Sequence, residues 1–164
     1  MARVAIGLGA NVGDRLANLR KAALLASERI GKLVAKSDAY ESPPWGVEEQ
    51  PRFLNACAVL ETELTPYDLM SELKEIESTL GRVKRERWGP REIDLDLILY
   101  EDLCCNDSFL TIPHIHLHER AFVLVPLNAI APDWIHPVLG VSVPGLLHAL
   151  GEEAAAGIVR IVTL

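Results

Sequence analysis

The sequence predicts an α+β fold: a ferredoxin-like βαββαβ antiparallel sheet with its helices on one face, followed by a C-terminal extension. Three observations predict it. Apolar runs and apolar three-to-four-residue repeats alternate in the order strand, helix, strand, strand, helix, strand across residues 3–100. Glycine or proline punctuates the junctions between them. The remaining third is proline-rich and less periodic.

Residues 3–9 (RVAIGLG) read as a short buried strand, and the glycines with Asn11 then mark a plain strand-to-helix turn. Asp14 is placed to cap a helix over 14–30, where Leu16, Leu19, Ala23, Ala26 and Ile30 recur at helical spacing and Gly31 ends the run. A strand follows at 32–41. Residues 41–52 (ESPPWGVEEQPR) hold three prolines and a glycine, which rules out helix or central strand and leaves a long polar loop. Residues 53–62 read as a strand. Thr65-Pro66 opens a helix with proline at its favoured first position; Leu69, Leu73, Ile76 and Leu80 form its stripe, and Gly81 stops it. A second polar loop, 82–92, leads into a strand at 93–100. A helix is expected near 144–150, with the tail from 138 to 164 packing on the body. Residues 1–164 are expected to form one domain.

The composition, 49% apolar and 24% charged, is globular, and no apolar run approaches the roughly 20 residues that cross a bilayer. The N-terminus lacks signal-peptide character, so a cytoplasmic location is expected. The three cysteines (Cys57, Cys104, Cys105) include an adjacent pair and no CxxC, so reduced, mostly buried thiols are expected. A net charge of −7 argues against a nucleic-acid partner. Against that acidic background Arg82, Lys84, Arg85, Arg87 and Arg91 cluster within ten positions, which suits a small anionic ligand.

The cluster runs directly into Asp94 and Asp96. On a strand the two aspartates share a face opposite Ile93, Leu95, Leu97 and Leu99. Mg²⁺ takes one or two carboxylates and completes its shell with phosphate oxygens and water, and guanidinium forks match phosphate. Together these point to an enzyme that handles a nucleoside triphosphate with Mg²⁺. Other patterns point less far. The turn at 7–14 has neither the Rossmann nor the P-loop spacing. His114, His116 and His118 alternate, but Pro113 and the polar run after it favour a turn or short helix over a zinc strand, leaving His114 as a candidate phosphate contact. Asn55, in an apolar strand, is a candidate reader of a flat heterocycle, with Phe53 and Phe122 as stacking faces.

The segment GRVKRERWGPREIDLDLI at 81–98 resembles the signature of the 6-hydroxymethyl-7,8-dihydropterin pyrophosphokinases. The likeness extends to IGLGANVGD at 6–14, YESPPWG at 40–46, QPRFLNA at 50–56 and LTIPHIHLHERAFVLVPL at 110–127. It implies transfer of the β,γ-diphosphate of ATP to the pterin hydroxymethyl oxygen in folate biosynthesis, with two Mg²⁺ ions held by Asp94 and Asp96. It implies catalytic and phosphate-binding roles for Arg82 and Arg91, a mobile catalytic loop carrying Lys84 and Arg85, and closure by Trp88. On the pterin side it implies Ser42, Pro43, Pro44, Trp45, Phe53, Asn55 and Phe122. On the ATP side it implies Lys74, Glu77, Leu97, Leu110, Thr111, His114 and Arg120. Lys74, Phe109, Ile115 and Phe53 stand where some members carry other residues. The two polar loops are expected to close over the substrates. A monomer acting on small molecules, without nucleic-acid or membrane partners, is expected. Two other classes compete: a nucleotidyl- or glycosyltransferase with a DxD metal pair, and a non-enzymatic ligand-binding module.

Overall fold

The computed structural model describes residues 1–43, 49–82 and 90–164. Strand β1 (Ala2–Ala10) leads through a turn into helix α1 (Arg15–Arg29), whose first turn is capped by the Asp14 carboxylate accepting from Ala17 N at 3.1 Å. Strands β2 (Gly31–Lys36) and β3 (Ala39–Ser42) replace the single strand expected at 32–41. The break falls at Ser37 and Asp38, where Ser37 turns inward: its Oγ accepts from Cys57 N at 2.9 Å and its N–H donates to Cys57 O at 2.9 Å. Strand β4 (Phe53–Thr62) and helix α2 (Pro66–Thr79) follow, the helix capped by Thr65 Oγ1 accepting from Asp68 N at 3.2 Å. Gly81 leaves that helix with φ +82°, the left-handed turn its position suggests.

Strand β5 (Asp94–Tyr100) completes the central sheet, and β6 (Cys105–Asn106) and β7 (Thr111–Ile112) form a small hairpin beside it. A 3₁₀ turn (Leu117–Glu119), α3 (Ala121–Ile130), α4 (Val143–Leu150), α5 (Glu152–Ala156) and β8 (Val159–Val162) make up the last third. The strand order is β5-β1-β4-β3-β8, with β2 also on β4, and each pairing is antiparallel. The tail therefore does more than pack on the body: it adds an edge strand through β8.

The sheet has helices on both sides. Val4, Ile6, Leu8 and Ala10 of β1, with Leu54, Ala56, Ala58 and Leu60 of β4, pack beneath α1 and α2. On the opposite face Ala5, Cys57, Val59 and Leu99 form a second core with Val123, Leu124 and Leu127 of α3 and Leu146 of α4. Burial pushes the Cys57 thiol up, whereas Cys104 is exposed and Cys105 half-buried, so only one of the three cysteines is a core residue. The second core covers only one end of its face. The other end is bare, and the candidate site lies there.

Gly31 ends no helix by a left-handed turn. It begins β2, and a Cβ there would lie 2.0 Å from the Glu61 carbonyl oxygen across the strand pair. Relief would require shifting backbone, so Gly31→Ala is expected to cost about 2 kcal/mol and lower Tm by roughly 6 °C, measured by thermal unfolding.

Candidate active site

The floor of the site is sheet without side chains. Gly7 and Gly9 of β1 point to the bare face, between Asp96 and Asp94 on β5 and Cys57 and Asn55 on β4. A Cβ on Gly9 would sit 3.2 Å from Asn55 Oδ1 and 3.7 Å from the Phe53 ring; one on Gly7 would meet Ile98 Cδ1 at 3.3 Å. These glycines belong to the strand, not to the turn that follows it. The signal was available in the sequence, because glycine weakens a strand interior and marks a place where something approaches the backbone closely. A groove of about 260 Å³ stands over them, lined in part by Ser42, Pro43, Phe53, Asn55, Arg91 and Asp94, and further by Asp96, His114, Arg120 and Phe122.

Strand β5 delivers both aspartates because its alternation is regular up to Leu97. Ile93, Leu95 and Leu97 face the α1–α2 core, and Asp94 and Asp96 face the groove. Leu99 departs from the expected pattern. Ala5 pairs with Leu99 and Ile6 with Leu97, so Ile98 is an extra residue, a β-bulge, and Leu99 turns to the opposite core. The Ile98 carbonyl, on the free edge of the strand, accepts from His114 N at 3.0 Å and so anchors the segment that bears His114.

Charge is concentrated around the pair. Asp94 Oδ1 accepts from Arg91 Nη1 at 3.2 Å and lies 3.3 Å from Arg82 Nη1. Arg82 is aimed there by Glu77, whose Oε2 accepts from Arg82 Nη1 at 2.6 Å and from Leu95 N at 2.8 Å. Burial raises the Glu77 carboxyl above its ordinary range, against the Leu95 N–H and Arg82. Arg120, 5% exposed, reaches Asp96 Oδ2 at 3.9 Å and lies over the Phe122 ring at 5.4 Å. Asp96 keeps a third of its side chain open to the groove but is otherwise enclosed by protein. That enclosure, then the Asp94 charge, pushes its carboxyl up to about 7, with Arg120 opposing. The carboxylate pair faces the open groove. Its hard oxygen donors and open side fit Mg²⁺, which needs only one or two carboxylates. Among the described residues no three His, Cys, Asp or Glu side chains converge as a fuller metal cage.

The other wall is built for a flat polar ring. Asn55 is 4% exposed, and its Nδ2 donates to Ser42 Oγ at 2.6 Å, which fixes the amide at the groove floor. Phe53 and Phe122 are half-buried and both line the groove. Pro44, Trp45, Lys84, Arg85 and Trp88 lie outside the described residues, as do the rest of 44–48 and 83–89.

His114 lines the groove, and His116 N donates to its Nδ1 at 3.1 Å, which leaves the ring proton on Nε2. The three histidines do not converge on a metal: His114 and His116 stand 6.0 Å apart in a turn, while His118 packs edge-on against His136 at 6.4 Å. Burial, then Arg120 and His116, lowers His114 to about 4. Folded His114 thus stays neutral where the unfolded residue, near its ordinary value, takes up a proton. Its share of stability is complete above pH ~6.5 and is lost as pH falls toward 4. Between pH 7 and 5 that share is about 2 kcal/mol, and urea unfolding of His114→Gln is expected to show a correspondingly shallower pH dependence.

The remaining ATP-side candidates lie apart from the groove. Leu97 and Leu110 are 1% and 2% exposed in the α1–α2 core, so their side chains are closed to any ligand. Thr111 sits on β7, half-buried; Lys74 is exposed on α2; Phe109 is 83% exposed. Ile115, largely exposed, does line the groove.

Residues 5–132 match the family described as 7,8-dihydro-6-hydroxymethylpterin-pyrophosphokinase, and the chain belongs to that family. It is 48% identical over 137 residues to the 2-amino-4-hydroxy-6-hydroxymethyldihydropteridine pyrophosphokinase of Methylorubrum extorquens, covering 82% of this chain and 86% of the relative. It is 44% identical over 153 residues to the Pseudomonas aeruginosa protein of that name, covering 92% and 93%. A crystal structure of Plasmodium falciparum HPPK-DHPS superposes with a TM-score of 0.80 at 17% identity, covering 99% of this chain and 47% of that one. The chain thus spans just under half of that solved structure, which shares its fold.

Proposed function

We infer that this chain transfers the β,γ-diphosphate of ATP to 6-hydroxymethyl-7,8-dihydropterin, giving the pterin methyl diphosphate and AMP, in folate biosynthesis. One observation carries the reading: a slot with ring faces and a fixed amide shares its floor with a carboxylate pair flanked by three arginines. The pterin lies over Gly7 and Gly9, between Phe53 and Phe122, with Asn55 reading its amide edge. Ser42 and Pro43, joined by Pro44, Trp45 and Trp88 from the loops, complete that side.

Asp94 and Asp96 would hold two Mg²⁺ ions, which neutralise charge on the triphosphate when bound. Arg82, Arg91 and Arg120 grip phosphate oxygens, with Lys84 and Arg85 from the second loop. His114 offers its Nε2–H to a phosphate. Glu77 keeps Arg82 aimed, and Lys74 with the backbone of Leu97, Leu110 and Thr111 serves the nucleotide. The new bond joins the pterin hydroxymethyl oxygen to the β-phosphorus. The bond from that phosphorus to the bridging oxygen breaks, AMP leaves with the electron pair, and the hydroxyl proton passes to solvent. No general base is assigned; alignment and charge stabilisation carry the rate. Closure of the loops 42–52 and 82–92 keeps water from taking the diphosphate.

The reading takes residues 1–164 as one domain, supported by β8 near the end of the chain pairing with β3 in its first third. It takes the protein as a cytoplasmic monomer. Among the described residues no helix is long and apolar enough to cross a membrane. The test is the nucleotide product from ATP, Mg²⁺ and the hydroxymethyl dihydropterin. AMP appearing in step with a diphosphorylated pterin is expected. Intact ATP, from protein that binds Mg-ATP, would leave a binding module; pyrophosphate or nucleoside diphosphate would mark another transferase class.

A further inference from the structure

Asn11 lies at the end of β1, where the chain turns toward α1, and is 2% exposed. The two ends of its amide hold different loops. Oδ1 accepts from Arg91 N at 2.8 Å, while Nδ2 donates to Gln50 Oε1 at 2.9 Å and to Pro51 O at 2.9 Å. One end faces an N–H and the other a carbonyl, so the amide has only one satisfactory orientation. The surrounding turn repeats the pattern: Asn11 N donates to Arg91 O at 3.0 Å, Asn18 Nδ2 to Glu92 O at 3.0 Å and Arg15 Nη1 to Arg52 O at 2.9 Å. Residues 50–52 deliver Phe53, and residues 91–92 deliver Asp94. Both polar loops therefore return to the sheet at a single hub, and the Asn11 side chain touches both.

We propose that Asn11 is a positioning residue that registers the loop ending at Phe53 against the loop ending at Asp94, so that each substrate's binding is felt by the other through its amide. The proposal rests on the reading of the groove given above. Coupling between two sites requires a physical element that both bias, and a carboxamide, donor at one end and acceptor at the other, supplies it where an aliphatic or acidic side chain does not. Asn11 is buried and does not line the groove, which separates it from the catalytic groups.

The test is calorimetric binding of 6-hydroxymethyl-7,8-dihydropterin with and without Mg²⁺ and α,β-methylene-ATP, in wild type, Asn11→Ala and Asn11→Asp. The analogue blocks the bond that would break. The wild-type protein is expected to bind the pterin more tightly with nucleotide present. Asn11→Ala is expected to lose about tenfold of that enhancement and a similar factor in kcat, while its affinity for the analogue alone changes less than about twofold. If Asn11→Ala does not fold, the isosteric Asn11→Asp carries the test: it keeps the acceptor for Arg91 N–H and sets an oxygen against Pro51 O, so the same loss is expected. An enhancement within twofold of wild type in a folded variant overturns the proposal, as does a wild type with no enhancement. So does a fall in all affinities together, in step with Tm, the mark of a merely structural role. Wild-type protein that forms no AMP would instead overturn the reading of the groove.

Discussion

Replacing Asp96 by asparagine is expected to lower kcat by about a thousandfold, roughly 4 kcal/mol of barrier, while making the nucleotide-free protein more stable. The two effects share one cause. The Asp96 carboxylate is enclosed at the groove floor beside Asp94, with Arg120 3.9 Å away as partial compensation. A neutral amide of the same shape removes the like-charge repulsion and the cost of an ionised group in that enclosure. At pH 8, above the raised value of about 7, that relief is fully expressed and is expected to add about 1 kcal/mol in urea unfolding. The same change removes an anionic oxygen from the Mg²⁺ site, where charge on the triphosphate must be met. A variant that lost activity by unfolding would fall on both measurements. One that kept full activity would remove Asp96 from the proposed chemistry.

Gly9→Val is expected to reduce kcat/KM for the pterin by at least about 300-fold, near 3.4 kcal/mol. The first added carbon already meets Asn55 Oδ1 at 3.2 Å and the Phe53 ring at 3.7 Å. Two further methyls then occupy the floor on which the ring is proposed to rest, and Asn55 cannot yield without losing Ser42. Binding of the Mg-ATP analogue alone should stay within a few-fold of wild type, measured by calorimetry, because the added carbon meets Asn55 and Phe53 and no atom of Asp94 or Asp96 within 4 Å. Equal loss of both ligands would place the obstruction outside a pterin slot.

Much of this was legible in the residues. Helical spacing located α1 and α2, and Asp14 and Thr65 cap them as their positions require. Asp94 and Asp96 share the groove because strand alternation is geometric, not contextual. What escaped depended on tertiary approach. The split at Ser37 arises because its hydroxyl bonds to the Cys57 backbone, a partner twenty residues away. Gly7 and Gly9 read as turn residues because the turn begins directly after them. Gly31 reads as a helix stop, yet its requirement comes from the Glu61 carbonyl on another strand. Asn11 reads locally only as a turn residue, since its partners are about 40 and 80 positions along the chain.

The bulge at Ile98 has a consequence for how this enzyme can vary. Before it, odd-numbered positions of β5 are filled by the α1–α2 core and even-numbered ones by the groove; after it, the assignment inverts, and Leu99 serves the other core. Selection for activity and selection for folding therefore act on β5 as two interleaved reading frames that exchange places at one residue. Deleting Ile98 would return the strand to plain alternation with Leu99 still on its own layer, but it would take away the carbonyl that anchors His114 and a side chain of the second core. In a lineage of such proteins that position can therefore change its side chain far more readily than the length of its strand.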